Sequence, residues 1–372
     1  MAKGLKVLNL SGCSVLTKYP DFSTLTALEI LNLGECENLV EIHPSIWKLK
    51  NLRVLDISRS GYNIPIGPIA KFPDEIGNLE KLEEIYAEVR EDLHGEIPSS
   101  IGRLSSLRIL RLTATNIYSL PTSICGLSRL ETLDLQGCYK LQSLPDELPS
   151  SLTSLRVTCQ SMETFPSRLS NLINLKNLEF YSCVNLVEIP RDIGKLSQLE
   201  TLSLHFCDRL RTLPAEIGAI SRLKELRLFK CHNLQCILAL PPSLVTIYAD
   251  YCESLERLPD LLNLKNLSDV TLHNLNKLRE IPELGELEYL DIAHCVSLKG
   301  LPDLSKLQRI DIVECKNLPG FEYTAVDIRD RESLERLPDV SNYGMRKNLQ
   351  LFSYLLIFLK FTSWMTQKLG KD

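Results

Sequence analysis

Apolar residues fall at intervals of three and then two, again and again along the chain. In Leu199-Glu200-Thr201-Leu202-Ser203-Leu204 the interval of two puts Leu202 and Leu204 on one face of a short strand. The phrase continues as His205-Phe206-Cys207-Asp208-Arg209-Leu210-Arg211-Thr212-Leu213-Pro214, and its closing Pro has no place in a central ladder, because it lacks the backbone donor. Each repeat is therefore half strand and half turn. The first Leu-type position recurs at Leu5, Leu28, Leu52, Leu82, Leu107, Leu130, Leu152, Leu175, Leu199, Leu223, Leu244, Leu267, Leu287, Leu307 and Tyr323. Most steps are 20 to 25 residues; the step from Leu52 is 30 and the last is 16.

A unit this short cannot bury its own apolar face, so it is stable only against neighbours on both sides. The predicted fold is an α/β repeat solenoid of about fifteen units over residues 1–340. It has a concave parallel β-sheet and irregular or 3₁₀ turns on the convex side. At about 4.8 Å per strand, fifteen strands make an arc on the order of 70 Å. Pro20, Pro73, Pro98, Pro121, Pro145, Pro166, Pro190, Pro214, Pro259, Pro282, Pro302 and Pro338 mark the convex turns, and Pro190 to Leu196 should return Ile193 and Leu196 to the core. Two stretches break the rhythm. Residues 61–70, rich in Pro and Gly, read as a bulging loop. Residues 341–372 leave the pattern; their apolar run, Leu349 to Phe361, is shorter than the roughly 20 residues of a membrane span and reads either as a helical cap on the last unit or as a membrane-seeking or non-native end.

Nine of the twelve Cys share one slot, eight residues after the first Leu: Cys13, Cys36, Cys138, Cys183, Cys207, Cys231, Cys252, Cys295 and Cys315. Ser60, Thr115 and Gln160 fill that slot in other units. A small inward side chain with a weak donor fits a structural ladder of free thiols. Their one-per-unit placement, in a chain whose start carries no secretory signal, argues against a disulfide framework. Cys231 and Cys236 flank His232, but a zinc site needs four convergent ligands and the ladder residue points inward, so no metal is expected.

Composition changes the picture only by exclusion. Aromatics are 6%, in keeping with many thin aliphatic layers, and a net charge of −5 with mixed signs leaves no basic footprint for nucleic acid. Phosphate-binding glycine loops, zinc-protease helices and nucleophile elbows are all missing from the sequence. His43, His94, His205, His232, His273 and His294 lie mostly at variable slots expected to be exposed, as do the carboxylates. No enzyme and no cofactor are expected.

The strand residues between the core leucines should face the concave surface. In the later units these are aromatic: Tyr181, His205, Phe206, Phe229, Tyr248, Tyr251, His273 and Tyr289. Exposed aromatics on a rigid sheet are typical anchors for a protein partner. Asp250, Asp269, Asp291, Asp311 and Asp327 run along the strands, with Arg156, Arg227 and Arg309 interspersed.

The phrases Leu8-Asn9-Leu10-Ser11-Gly12-Cys13 and Leu135-Gln136-Gly137-Cys138, with the repeated Cys-x-x-Leu-x-x-Leu-Pro, resemble the leucine-rich-repeat region of plant intracellular immune receptors, above all the TIR–nucleotide-binding–leucine-rich-repeat class. The resemblance covers residues 5 to about 340. It implies an array that senses a pathogen effector or a modified host protein, restrains a nucleotide-binding module at rest, and works in the cytoplasm or nucleus. The P-loop module and the TIR module are not in this sequence. The chain opens inside a unit, with Leu8 and Leu10 expected to face solvent, so it reads as part of a larger molecule. Leu93 to Gly102, containing Gly95-Glu96-Ile97-Pro98, instead matches extracellular leucine-rich-repeat receptors or inhibitors, but once only; Asn9 and Asn266 begin the two glycosylation sequons. The repeated Leu-Pro-x-x-Ile-Gly-x-Leu suits an intracellular scaffold. These two stand as alternatives.

Overall fold

The computed structural model describes residues 3–18, 21–36, 38, 43–59, 71–304, 306–318 and 325–328. The insertion 61–70, the tail 341–372, Pro20, Ser60, Tyr323 and Pro338 lie outside the described residues.

Among the described residues, fifteen strands form one sheet in sequence order, from Val7–Asn9 to Ala325–Ile328. The first fourteen are all parallel, each paired with its neighbour, as in a leucine-rich-repeat solenoid. The fifteenth does not follow: Ala325–Ile328 runs antiparallel to Arg309–Val313. This corrects the reading of Tyr323 as the start of a fifteenth equivalent unit. Only residues 314–324 separate the two strands, and a parallel crossover needs a dozen or more.

The core is built from the positions that the phrase singled out. Leu199, Leu202 and Leu204 are fully buried, and so are their counterparts in the flanking units, such as Leu175, Leu178, Phe180, Leu223, Leu226 and Leu228. Burying one such side chain contributes about 1.5–3 kcal/mol, and the buried layers of successive units join into one continuous core.

On the convex side, 3₁₀ turns occupy Pro44–Lys48, Asp74–Asn78, Ser99–Arg103, Thr122–Gly126, Leu169–Asn171, Arg191–Lys195 and Ala215–Ala219. Five of them start directly after a Pro in extended conformation: Pro73, Pro98, Pro121, Pro190 and Pro214. Ile193 and Leu196 return to the core as expected. Glycine in these turns permits close stacking. A Cβ on Gly102 would lie 2.6 Å from the Ser123 carbonyl oxygen, and one on Gly194 would lie 2.6 Å from that of Glu216. Two minor parallel pairs lie off the main sheet: His94–Glu96 with Asn116–Ser119, and Thr212–Leu213 with Cys236–Ile237. Cys236 thus belongs to a second edge of the coil, apart from the Cys ladder.

The ladder slot holds more than small side chains. Cys36, Cys138, Cys183, Cys207, Cys231, Cys252, Cys295 and Cys315 are buried free thiols, and Cys13 is half-buried. Several reach a carbonyl of the preceding unit, Cys36 Sγ to Leu10 at 3.1 Å, Cys138 to Leu112 at 3.1 Å and Cys295 to Leu272 at 3.3 Å, whereas Cys207, Cys252 and Cys315 donate to the residue two before them. Burial raises the Cys138 thiol to about 11 and that of Cys183 to about 12, so both stay protonated donors. Thr115, with a stronger donor, bonds a carbonyl of its own unit, the Leu112 oxygen at 2.8 Å, which also accepts from Cys138. Gln160 does not fill the slot. The unit at Leu152 is one residue short between strand and turn, and Cys159 is the buried residue there, its Sγ 3.2 Å from the Leu141 oxygen.

In the unit at Leu82 the slot holds Arg90, which is fully buried and donates to Asp92 Oδ2 at 2.9 Å; Arg59 approaches the same oxygen at 3.5 Å. Asp92 and Asp134 are both buried, contrary to the expectation that the carboxylates are exposed.

Candidate recognition surface on the concave sheet

Three residues of each long strand face away from the core, and the register lines them up across units. One line runs Tyr181, His205, Phe229, Asp250 and His273, each the cross-strand partner of the next. A second contains Glu179, Ser203, Arg227, Tyr248, Thr271, Asp291 and Asp311. Tyr289 lies on a third, beside Asp269 and Arg309.

Phe206 and Tyr251 do not belong to the strands at all. They sit on the residue that follows, at φ 55° and 53°, with Lys230 between them at φ 51°. Left-handed backbone recurs at this point in Glu35, Val89, Ala114, Ser182, Asn274, His294 and Glu314, and in Gly12 and Gly137. It costs about 1–2 kcal/mol at each non-glycine residue. It is held by a ladder of main-chain bonds, such as Phe206 N–H to the Phe229 carbonyl at 2.9 Å and Lys230 N–H to that of Asp250 at 2.8 Å. These side chains therefore stand on the rim of the sheet, where strand and turn meet.

The structure brings five of the eight predicted aromatics into one cluster. Tyr181 stacks on His205 with centroids 4.6 Å apart and planes 14° from parallel. His205 leans on Phe229 at 5.9 Å, and Phe229 meets Phe206 and Tyr251 edge to face at 5.5 and 6.0 Å. The rings are less exposed than the sequence suggested. His205 is buried, at 8% exposure, because rings close over it from both neighbouring strands. Tyr181, Phe206 and Phe229 are half-buried; Tyr248 and Tyr251 are exposed, at 41% and 39%. The expectation that histidines sit at exposed slots fails for His205, and of the six only His94 is exposed. Burial pulls His205 down to about 4, leaving it neutral.

His273 and Tyr289 lie apart from the cluster. Burial pulls His273 down, but the Asp291 carboxylate, 3.0 Å from Nε2, more than offsets this, and the net shift is upward. Tyr289 Oη donates to Asp311 at 2.7 Å, and Arg309 pairs with the same carboxylate while lying 4.9 Å from the Tyr289 centroid. Asp250 accepts from Asn274 at 3.0 Å, and Asp269 from Ser268. Asp250, Asp269, Asp291 and Asp311 thus already have partners inside the chain. Arg227 pairs with Glu225 at 2.7 Å and stacks on Tyr248. Arg156 bridges Asp134 and Glu179 at 3.2 and 3.1 Å, and Glu179 accepts from Tyr181 Oη at 2.7 Å. Asp327 lies in the last strand, opposite Asp311.

Two surface features escaped the sequence reading. Tyr86, with Arg111 5.7 Å from its centroid, places an aromatic on the face of an early strand. Along the N-terminal ends of the strands, charges alternate between units: Lys6–Glu29, Arg53–Glu83, Arg108–Glu131 and Glu200–Lys224. The signal was present one residue after the first Leu of these units, but it appears only when the units are aligned.

His232 contacts Asp208 at 2.7 Å, and among the described residues no group of three His, Cys, Asp or Glu is placed to hold a metal ion. Among the same residues no helix is long and apolar enough to cross a membrane.

Residues 88–185 match the family model described as a leucine-rich repeat region. The chain is 34% identical over 171 residues to TMV resistance protein N of Nicotiana glutinosa, covering 41% of this chain and 15% of that protein. It is 35% identical over 153 residues to Disease resistance protein RML1A of Arabidopsis thaliana, covering 41% and 14%, and 29% identical over 201 residues to Disease resistance protein RPS6 of the same plant, covering 38% and 18%. The matched stretches span less than a fifth of these relatives. Among solved structures, a leucine-rich-repeat protein of Leptospira interrogans aligns at 21% identity and TM-score 0.46, over 91% of this chain and 95% of that one. The ectodomain of the Arabidopsis thaliana receptor kinase GASSHO1/SCHENGEN3 aligns at 18% identity and TM-score 0.45, over 84% and 52%. The chain is a leucine-rich-repeat array similar in sequence to plant disease resistance proteins.

Proposed function

We propose that this leucine-rich-repeat array is the protein-recognition part of an intracellular plant immune receptor. It senses a pathogen effector, or a host protein altered by one, on the concave strands of residues 175–295. The observation that carries this reading is the aromatic cluster on a rigid face: rings held by their neighbours lose little entropy on binding and offer large apolar area. The sequence similarity to disease resistance proteins supports the immune setting. In the same reading the array contacts a nucleotide-binding module, restrains it at rest and does no chemistry of its own.

The test is a binary interaction screen of the chain against pathogen effectors and host proteins. Any interactor is then measured with Tyr248→Ala combined with Phe229→Ala. Truncating two anchors should weaken binding by about a hundredfold or more, with little change in melting temperature. Undiminished binding by the double variant would place recognition elsewhere.

A further inference from the structure

The rim cluster contains a cation. Lys230 Nζ lies 5.2 Å from the Phe206 centroid, 5.4 Å from that of Phe229 and 5.4 Å from that of Tyr251. Three rings from three successive units therefore surround one ammonium group. Phe206, Lys230 and Tyr251 occupy the left-handed position of adjacent units, which sets their side chains in a row along the rim.

The neighbouring charges behave differently. Arg227 has Glu225, Arg309 has Asp311, Lys224 has Glu200 and His273 has Asp291. The acid nearest the clasp, Asp250, feels the Lys230 charge but is hydrogen-bonded to Asn274. Among the described residues Lys230 makes no ion pair. Its ammonium group instead faces three ring faces, which attract a cation through the ring quadrupole.

We propose that Lys230, held by Phe206, Phe229 and Tyr251, is the anchor for an acidic side chain of a protein partner seated on the concave face. This rests on the recognition surface proposed above. Two physical effects favour it. The lysine is ordered before the partner arrives, so little side-chain entropy remains to be lost. An incoming carboxylate meets it beside apolar rings, where the attraction is screened less than in open water. The exposed face of Tyr251 and the neighbouring Tyr248 then receive the apolar part of the same segment.

The probe is an unbiased random-peptide display library panned on the whole chain. The variants are Lys230→Met, which keeps the packing on the rings, Lys230→Glu, and Tyr248→Ala with Tyr289→Ala; each is compared with the parent by melting temperature first. The parent should enrich peptides carrying Asp or Glu next to an apolar residue, and Lys230→Met should weaken them at least tenfold. Lys230→Glu should enrich Lys or Arg at that place. If peptides are enriched that the tyrosine variant loses but Lys230→Met and Lys230→Glu leave unchanged, the anchor is refuted and the recognition surface survives. If no enriched peptide is lost by any of these variants, both are refuted.

Discussion

The units before Leu152 and those from Leu175 onward share one core and differ in how their strands end. Early strands such as Ile30–Asn32 and Val54–Asp56 are three residues long, whereas Asn177–Tyr181 to Arg309–Val313 are five. In four early units an Asn or Asp sits at the end of the outward-facing stretch and accepts from the N–H two residues on: Asn9 from Ser11, Asn32 from Gly34, Asp56 from Ser58 and Asp134 from Gln136, at 2.9 to 3.1 Å. The side chain takes a donor that would otherwise extend the ladder. The units from Leu175 to Leu267 have Glu179, Ser203, Arg227, Tyr248 or Thr271 there, the next two have Asp291 and Asp311, whose carboxylates meet His273 and Tyr289 instead, and in all of them the ladder runs two residues further. That extension is what lines up Tyr181, His205 and Phe229. Asx turns go with short strands, although Tyr86 and Arg111 end three-residue strands without one.

The largest test of this contrast is acid. His205 is neutral in the fold, with its pKa lowered from 6.5 to about 4 by burial. Between those values the unfolded chain binds the extra proton, so stability falls as pH drops from about 6.5 to 4, by up to about 3 kcal/mol. His273 works the other way: its raised folded pKa gives a contribution that is present in acid and lost as pH rises through that pKa. Hydrogen exchange at pH 5 should therefore rise first around strands Thr201–His205 and Glu225–Phe229 and leave the early strands unchanged. His205→Phe should remove the effect. Uniform loosening of both regions would break the comparison.

A middle-sized effect is expected on the convex side in both regions. Gly102→Ala and Gly194→Ala each force a methyl against the backbone of the next turn, and each should cost about 1–3 kcal/mol in urea titrations. A cost at Gly194 alone would mean that the early turns have room to move apart.

The smallest effect concerns the Asx turns. Asn32→Ala should cost about 1 kcal/mol by loss of the bond to Gly34 N–H, while Thr271→Ala, at the equivalent place in a long strand, should change stability by less than about 0.5 kcal/mol. Equal costs would show that the turn residue does not govern strand length.

Legibility in the sequence followed the strength of the physical constraint. The Leu spacing, the Pro-led turns and the Cys slot were readable because each is repeated and each has one way to be satisfied: burial, a missing donor, a small inward thiol. Arg90 broke the slot pattern without a sequence warning, since a buried guanidinium is tolerated only through Asp92, and that pairing is a matter of position. Cys159 was missed because a one-residue deletion shifts the slot, which fixed-offset counting cannot follow. Six of the eight aromatic residues lie in strands as their spacing suggested, but Phe206 and Tyr251 lie one residue beyond, and which rings touch was not legible.

By itself, the sequence determined that this chain is a leucine-rich-repeat array, because the period sets which side chains must be buried between neighbours. Only the tertiary structure decided that the last strand turns back, that His205 is enclosed, and that Lys230 sits among three rings. Those outcomes depend on residues a full unit apart meeting across the sheet, at distances set by strand register and by the left-handed step at the rim, and not by position along the chain.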